Sequence, residues 1–503
     1  MRIGVLELLN AAVNTPWNQK GYAHLALKQN ASIMPQAVSV WCKSLGHEVF
    51  YATYYGQQDP KQLLPNDLDL VFISSHTQAS PLAYALAKLY RRENTVTVIG
   101  GAHARGFPDD CARFFDVVVG HCDKKLIADI LFEPPVGRIV ASGRTLQEVP
   151  SVEERMPFIR ISNFWRGRPY ALASIPLLTS IGCPYSCDFC VDWNTPYVPH
   201  SLERLESDLR FILQEYPGVL VAFHDANFGI KFDQVLDVLE SASHDGRKRY
   251  VMECSLSILR PTRLQRLGDV GFVAIAPGVE SWTAYSNKAG AGSAMTGREK
   301  LERVVEHFEL IRDHVPALQA NFIFGLDVDE GDEPVELTKE FITRAPFVWP
   351  LISVPTPFGG TPLYEQHLDE GRVLTSMPFA FYWGPYLATR LKNYSPMTYY
   401  ERYVEILSHL TSGRMLCKRL GATSGIVRMI HLTRALGMRQ MVGKLKGFVH
   451  QMKKDPQFRA FHEGESQTLP EFYHRLYENL LGPYATLLSH EDRQPRHTLV
   501  ERV

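Results

Sequence analysis

The sequence lacks any charge imbalance. Its 53 Lys and Arg against 54 Asp and Glu leave a formal net charge of −1, so no whole-molecule field draws it to nucleic acid or to an anionic surface. It also lacks an apolar run long enough for a helix to cross a bilayer. Cysteine is scarce, eight in 503 residues. The opening "MRIGVLELLNAAV" carries Glu7 within a short apolar stretch and reads as a first β-strand, not a secretory leader. A reducing, cytoplasmic setting is therefore expected. Internal repeats and low-complexity tracts are absent. What remains is an ordinary globular composition, 45% hydrophobic and 21% charged, which argues against extended disorder. A chain of 503 residues exceeds one core, and roughly two to four domains are expected.

Residues 1–140 alternate strand-like and helix-like segments. "RIGVLEL", "HEVFYATYY", "DLVFISSHT", "TVTVIGG" and "DVVVG" are short apolar runs, with helical stretches such as "PQAVSVWCKSLG" and "SPLAYALAKLYRRE" between them. This α/β alternation predicts a Rossmann-like parallel sheet with helices on both faces. Ligands of such sheets bind at the carboxyl ends of the strands. Those ends read "ISSHTQAS" and "IGGAHARGFP", small loops open to close approach, although Gly100 and Gly101 could equally just turn the chain. Residues 141–172 hold several prolines and few periodic segments, and are expected to be a linker. From 173 to 370 a second α/β series follows, with strands "SIPLLTS", "VLVAFHD", "YVMECSLS", "FVAIAPGV", "LQANFIFG" and "PLISVPTP". Six βα units of this length fit a partial barrel. Residues 371–503 lose the strand signal and are expected to form a helical C-terminal domain.

Five cysteines, Cys42, Cys111, Cys122, Cys254 and Cys417, are scattered and read as small buried hydrophobes. The other three, Cys183, Cys187 and Cys190, lie within eight positions of "SIGCPYSCDFCVDW". An odd set cannot pair off as disulfides, and three thiolates do not complete a tetrahedral zinc site. C-x-x-x-C-x-x-C lets one loop hold three irons of a [4Fe–4S] cubane and leaves the fourth open to a small ligand. Zinc would need a further ligand such as His200, and no second knuckle follows. A non-enzymatic metal-binding scaffold is the remaining reading of the triplet alone. The loop follows the first strand of the second series, on the face where barrel chemistry sits.

Spacing and position together resemble the radical S-adenosylmethionine (SAM) superfamily. That resemblance implies a [4Fe–4S] cluster on Cys183, Cys187 and Cys190, whose open iron chelates SAM. It implies reductive cleavage of SAM to a 5′-deoxyadenosyl radical, with Phe189 packed near the adenine. "VAFHDANFGI" is similar to the family's F-x-D-D-x-F stretch, with Phe223, Asp225 and Phe228 in place and Ala226 where a second Asp is usual. Asp225 and Asn227 would meet the SAM ammonium or position substrate; a loop cap is the plainer role. "PGVESW" is similar to the G-x-E-S turn, which gives Glu280 to the ribose hydroxyls, two acceptor oxygens facing a vicinal diol. "NFIFGLDVDE" is similar to the fifth strand, whose backbone at Gly325 faces the adenine. "TPFGGTPLYE" is similar to T-P-F-P-G-T-P-L-Y, with Gly359 replacing Pro. The agreement covers about residues 175–366.

A Rossmann-like domain before such a barrel resembles the cobalamin-binding class of that superfamily. "SSHT" and "GGAH" are similar to loops that receive cobalamin, which implies contacts at Ser74, Ser75, Gly100, Gly101 and His103. No D-x-H-x-x-G follows the first strand, so no lower axial histidine is assigned. The implied activity is cobalamin-dependent methylation of an unactivated carbon. Radical cyclisation or rearrangement without methyl transfer would use the same cluster and SAM residues. The expected partners are a small-molecule substrate, hydrophobic or anionic, and an electron donor such as a flavodoxin or ferredoxin, with no nucleic acid. The aromatic stretch 378–400 fits a lid over the barrel mouth or the packing of C-terminal helices. Between Arg414 and Lys454 stand ten Lys or Arg and no Asp or Glu. That segment fits either a basic amphipathic surface or a helical cap with solvated lysines.

Overall fold

The computed structural model describes residues 1–13, 17–242, 247, 249–283 and 295–497. The chain divides into two compact units, one of Met1–His224, Pro357–Tyr382 and Leu469–Val503, the other of Asp225–Thr356 and Trp383–Thr468.

The first unit opens with strands β1 (Arg2–Leu8), β2 (Glu48–Tyr54), β3 (Leu70–Ser75), β4 (Val96–Gly100), β5 (Val117–Val119) and β6 (Arg138–Val140). They form one parallel sheet in the order β2-β1-β3-β4-β5-β6. Nearly all of β1 and β3 is buried, as the continuous apolar runs of a doubly covered sheet require. Helices Ile33–Ser44 and Ser80–Arg92 cover it, with Ala37, Trp41 and Cys42 packed in one core with Ile3, Leu70 and Val98. The order reverses between β1 and β3, and at such a switch point a crevice opens beyond the strand carboxyl ends.

Two segments carry more structure than their composition suggests. The loop after β1 contains the helix Trp17–Leu25. The proline-containing 141–172 stretch contains the helix Val152–Ser162, started by a capping box between Ser151 and Glu154. The same unit continues with β7 (Ser174–Leu177), β8 (Ser180–Ile181), β9 (Val198–Pro199) and β10 (Leu220–Phe223). β7 and β10 pair in parallel, and β8 with β9 form a short antiparallel ribbon.

The second unit supplies β11 (Tyr250–Ser255), β12 (Phe272–Glu280), β13 (Ala317–Ile323) and β14 (Val348–Ser353), each parallel to the next. Helices Pro261–Val270, Gly297–Arg312 and Glu333–Arg344 alternate with them. All six strands expected between 173 and 370 are present. Its C-terminal part is helical, dominated by Pro396–Leu410 and Gly425–Lys454. Tyr399, Tyr400 and Tyr403 are buried there, so these aromatics pack the helices, whereas Trp383 is exposed. Of the scattered cysteines, Cys42, Cys111 and Cys254 are buried as expected; Cys122 is half-buried and Cys417 is exposed, on the outer side of the helix Gly413–Ala422.

Candidate active site

In the first unit the cysteine loop springs from the β8–β9 ribbon, where Ser180 faces Pro199 and Ile181 faces Val198. Gly182 starts the loop with φ +68, and a side chain there would drive into Pro196 O at 2.3 Å, so only glycine allows this entry. Cys183, Cys187, Cys190 and Phe189 are half-buried, and none of the thiols is in a disulfide. The backbone folds on itself through Cys190 N to Cys187 O, 3.1 Å, and Trp193 N to Cys190 O, 2.9 Å. Among the described residues no group of three His, Cys, Asp or Glu side chains is gathered at metal-binding distances. The fit to an iron–sulfur cluster rests on donor chemistry: three half-accessible thiols outside any disulfide, on one tight loop.

Two contacts anchor this loop within the unit. Leu363 N donates to Asp188 O at 3.0 Å. Arg105 pairs with Asp192 at 3.4 Å, both partly exposed. Arg105 belongs to the short helix Ala102–Gly106, which follows β4. The next residue, Gly106, lies backbone to backbone with Gly359, where a Cβ on Gly359 would stand 2.0 Å from Gly106 O. The glycine that replaces proline in "TPFGGTPLYE" is thus demanded by this approach.

The serine and glycine loops stand at the carboxyl ends of β3 and β4, with Ser74 paired to Gly100. Gly101 presses on them so closely that an added methyl would meet Ser75 O at 3.1 Å and Ser74 Oγ at 3.2 Å. Ser75 is buried, and its hydroxyl donates to His76 O at 2.8 Å. Ser74 and Gly100 are half-buried and Gly101 is exposed. His103 is fully buried, its Nε2 2.5 Å from the Tyr84 hydroxyl, which also donates to Asp110 at 2.6 Å. Burial pushes its imidazole down to about 3, a neutral ring at physiological pH.

In the second unit the turn at the end of β12 is built by side chains. Glu280 is 7% exposed and holds φ +66, a left-handed conformation unusual for a residue with a side chain. Its carboxylate folds back over Gly278, so close that a Cβ there would lie 2.3 Å from Oε1. Three carbonyls around this turn, those of Val279, Ser281 and Thr283, accept from the buried Lys300 ammonium. Burial lowers that ammonium to about 8, opposed by the charges of Glu280 and Asp329. Ser281 Oγ donates to Asp329 at 2.7 Å, and the other Asp329 oxygen accepts Gly325 N at 2.9 Å and Leu326 N at 3.2 Å. One carboxylate therefore ties the Glu280 turn to the Gly325 turn. Gly325 itself, at φ +98, lies under Tyr399, whose hydroxyl donates to Phe324 O at 3.1 Å.

Asp225 and Asn227 are both buried. Asn227 Oδ1 accepts Ser255 N at 2.8 Å, the cap role, while its Nδ2 is buried without a hydrogen-bond partner. That orphaned donor suits a ligand acceptor. Ala226, where a second Asp is usual, is exposed.

Lys300, Ser281, Asp329, Arg105 and Asp192 were not singled out from the sequence. Lys300 had a signal: it lies on the apolar stripe of its helix with Val304, Phe308 and Ile311, all buried. Asp329 had none, since its partner Ser281 is 48 residues away.

The radical SAM superfamily profile matches residues 177–341. The bacteriochlorophyllide d C-8(2)-methyltransferase of Chlorobaculum tepidum is 23% identical over 461 residues, 87% of this chain and 96% of that protein. The C-12(1)-methyltransferase of the same organism is 24% identical, over 70% of this chain and 78% of its own. Among solved structures, the radical SAM methyltransferase TsrM from Kitasatospora setae, with cobalamin and a [4Fe–4S] cluster bound, is similar at a TM-score of 0.50 and 15% identity. That likeness covers 75% of this chain and 79% of TsrM, and shows a common fold. Residues 177–341 of the chain therefore contain a radical SAM domain.

Proposed function

We propose that this enzyme is a cobalamin-dependent methyltransferase that methylates an unactivated carbon of a small molecule. The observation that carries it is the likeness along 87% of the chain to a methyltransferase whose length it spans almost whole. The N-terminal sheet supports it, because its serine and glycine loops leave accessible backbone at the strand carboxyl ends. When bound, the cluster and SAM would supply the radical that removes a substrate hydrogen, and cobalamin the methyl group.

The chain's own residues hold, orient and shield. Cys183, Cys187 and Cys190 offer thiolates, and Phe189 a half-buried aromatic face for the adenine. Glu280, fixed by its turn, accepts from ribose hydroxyls, and the Gly325 backbone borders the adenine. Asp225 accepts from the SAM ammonium, and the unpartnered Asn227 Nδ2 donates to its carboxylate. Ser74, Ser75, Gly100 and Gly101 border the corrin; His103 contributes backbone alone, since its ring is buried. We further place the enzyme in the cytoplasm, with a flavodoxin or ferredoxin as electron donor. No described helix is long and apolar enough to cross a membrane.

The test is anaerobic reconstitution with iron, sulfide and hydroxocobalamin, then gel filtration and mass detection of SAM products. Retained corrin with both 5′-deoxyadenosine and S-adenosylhomocysteine is expected, since radical initiation and methyl donation leave different products. A cluster with 5′-deoxyadenosine alone and no retained corrin would overturn the methyltransferase and favour cyclisation or rearrangement.

A further inference from the structure

The helix Gly425–Lys454, 30 residues long, contributes nothing to the site described above. Its inner side is committed: Val427, Ala435, Leu445 and Phe448 are buried. Its solvent side is unusual. Ile426, Met429 and Leu436 are 65%, 54% and 49% exposed, and their three- and seven-residue spacings set them on one stripe. Farther along, Lys444, Lys446 and Lys454 are exposed, with no acidic partner among the described residues. The preceding helix Gly413–Ala422 adds exposed Arg414 and Lys418.

The helix arginines have other work. Arg428 donates to Thr423 O, Arg434 to Gln319 and Arg439 to Thr411 O, so they fasten the helix to its own unit. Lys453 pairs with Glu401 at 2.9 Å. A merely solvated face mixes both charge signs and keeps large apolar side chains scattered. Here acid is missing from Arg414 to Lys454, and apolar side chains line up beside the unpaired lysines. A nucleic acid or an acidic protein would satisfy the lysines and leave the stripe in water. A lipid surface satisfies both.

We propose that the outer face of this helix docks on an anionic membrane surface, with Ile426, Met429 and Leu436 entering the headgroup boundary and the free lysines on lipid phosphates. The helix would lie on the bilayer without crossing it, in keeping with its charge and its low apolarity.

The test is flotation of the reconstituted full-length enzyme with vesicles of phosphatidylcholine alone or mixed equally with phosphatidylglycerol. Binding to the mixed vesicles is expected, with little to phosphatidylcholine and a loss at high salt. Lys444→Gln with Lys446→Gln should weaken binding about 25-fold, at roughly five-fold per lysine. Met429→Glu with Leu436→Glu should weaken it at least as much, while SAM cleavage stays unchanged in both variants and reports intact folding. Failure to float with anionic vesicles would overturn the proposal. So would flotation in which the Met429→Glu, Leu436→Glu protein equals the parent, which would show that the apolar stripe does not enter the bilayer.

Discussion

The cysteine loop and the Glu280 turn, to which the proposed function gives a cluster and a ribose to hold, are built in opposite ways. The loop leaves its working side chains half-exposed, held by a two-residue ribbon and a few backbone hydrogen bonds. The turn buries its working carboxylate, forces it to positive φ, and braces it with Lys300, Ser281 and Asp329. On the proposed function, the difference follows from what each would bind. Metal–thiolate bonds are strong enough to complete a lightly braced loop as they form. A hydrogen bond to a ribose contributes only about 1 kcal/mol net, so it helps only where the acceptor is fixed beforehand.

The comparison can be broken from either side. Cys183→Ala should bring SAM cleavage down to background while the unfolding midpoint of the cluster-free protein barely moves; 5′-deoxyadenosine formation and urea melts measure the two. A cleaving variant would remove the cluster assignment. Asp329→Ala should do the reverse, leaving iron content near the parent's while stranding three donors, Ser281 Oγ, Gly325 N and Leu326 N. A stability loss of about 3 kcal/mol is expected, with a raised KM for SAM. An unchanged midpoint would show the turn to be no more prepared than the loop.

A pH series sharpens the contrast further. Lys300 stands at about 8 in the folded protein against an ordinary 10.5. Between those values the unfolded chain binds the proton more tightly, so the burden of burying the charge is full below pH 8 and lifts as pH rises toward 10.5. Lys300→Met should erase a rise of about 3 kcal/mol across that window, read from urea midpoints of the two proteins. The smallest effect belongs to the loop: Asp192→Asn removes a partly exposed 3.4 Å pair, and a change of about 0.5 kcal/mol is expected from thermal melts. A loss several times larger would mean that the loop, too, is held in advance.

This contrast also explains what the sequence made legible. The cysteine loop is written in neighbouring residues, so its spacing alone carries its chemistry. The long parallel strands are written in apolar runs, and all of those expected were found. β6 was not, because three residues, two of them exposed, leave no pattern to read. The helix Val152–Ser162 hid behind prolines, although its Ser151 and Glu154 capping pair stood in plain view. The bracing of Glu280 is a property of the folded chain: Ser281 and Asp329 meet only when β12 and β13 lie side by side. Lys300 was visible as a charge on an apolar stripe, but only the fold shows that it faces three carbonyls.

Gly106 and Gly359 touch with no room for a side chain on either. They therefore constrain each other across distant stretches of sequence. A chimera that takes its first 140 residues from a relative with a bulkier residue at position 106 should fail at this seam even if every element on both sides folds. Gly359→Pro should fail in the same way. Recombination among such enzymes has to carry the two positions together, and a search for compatible donor sequences can begin by screening this pair.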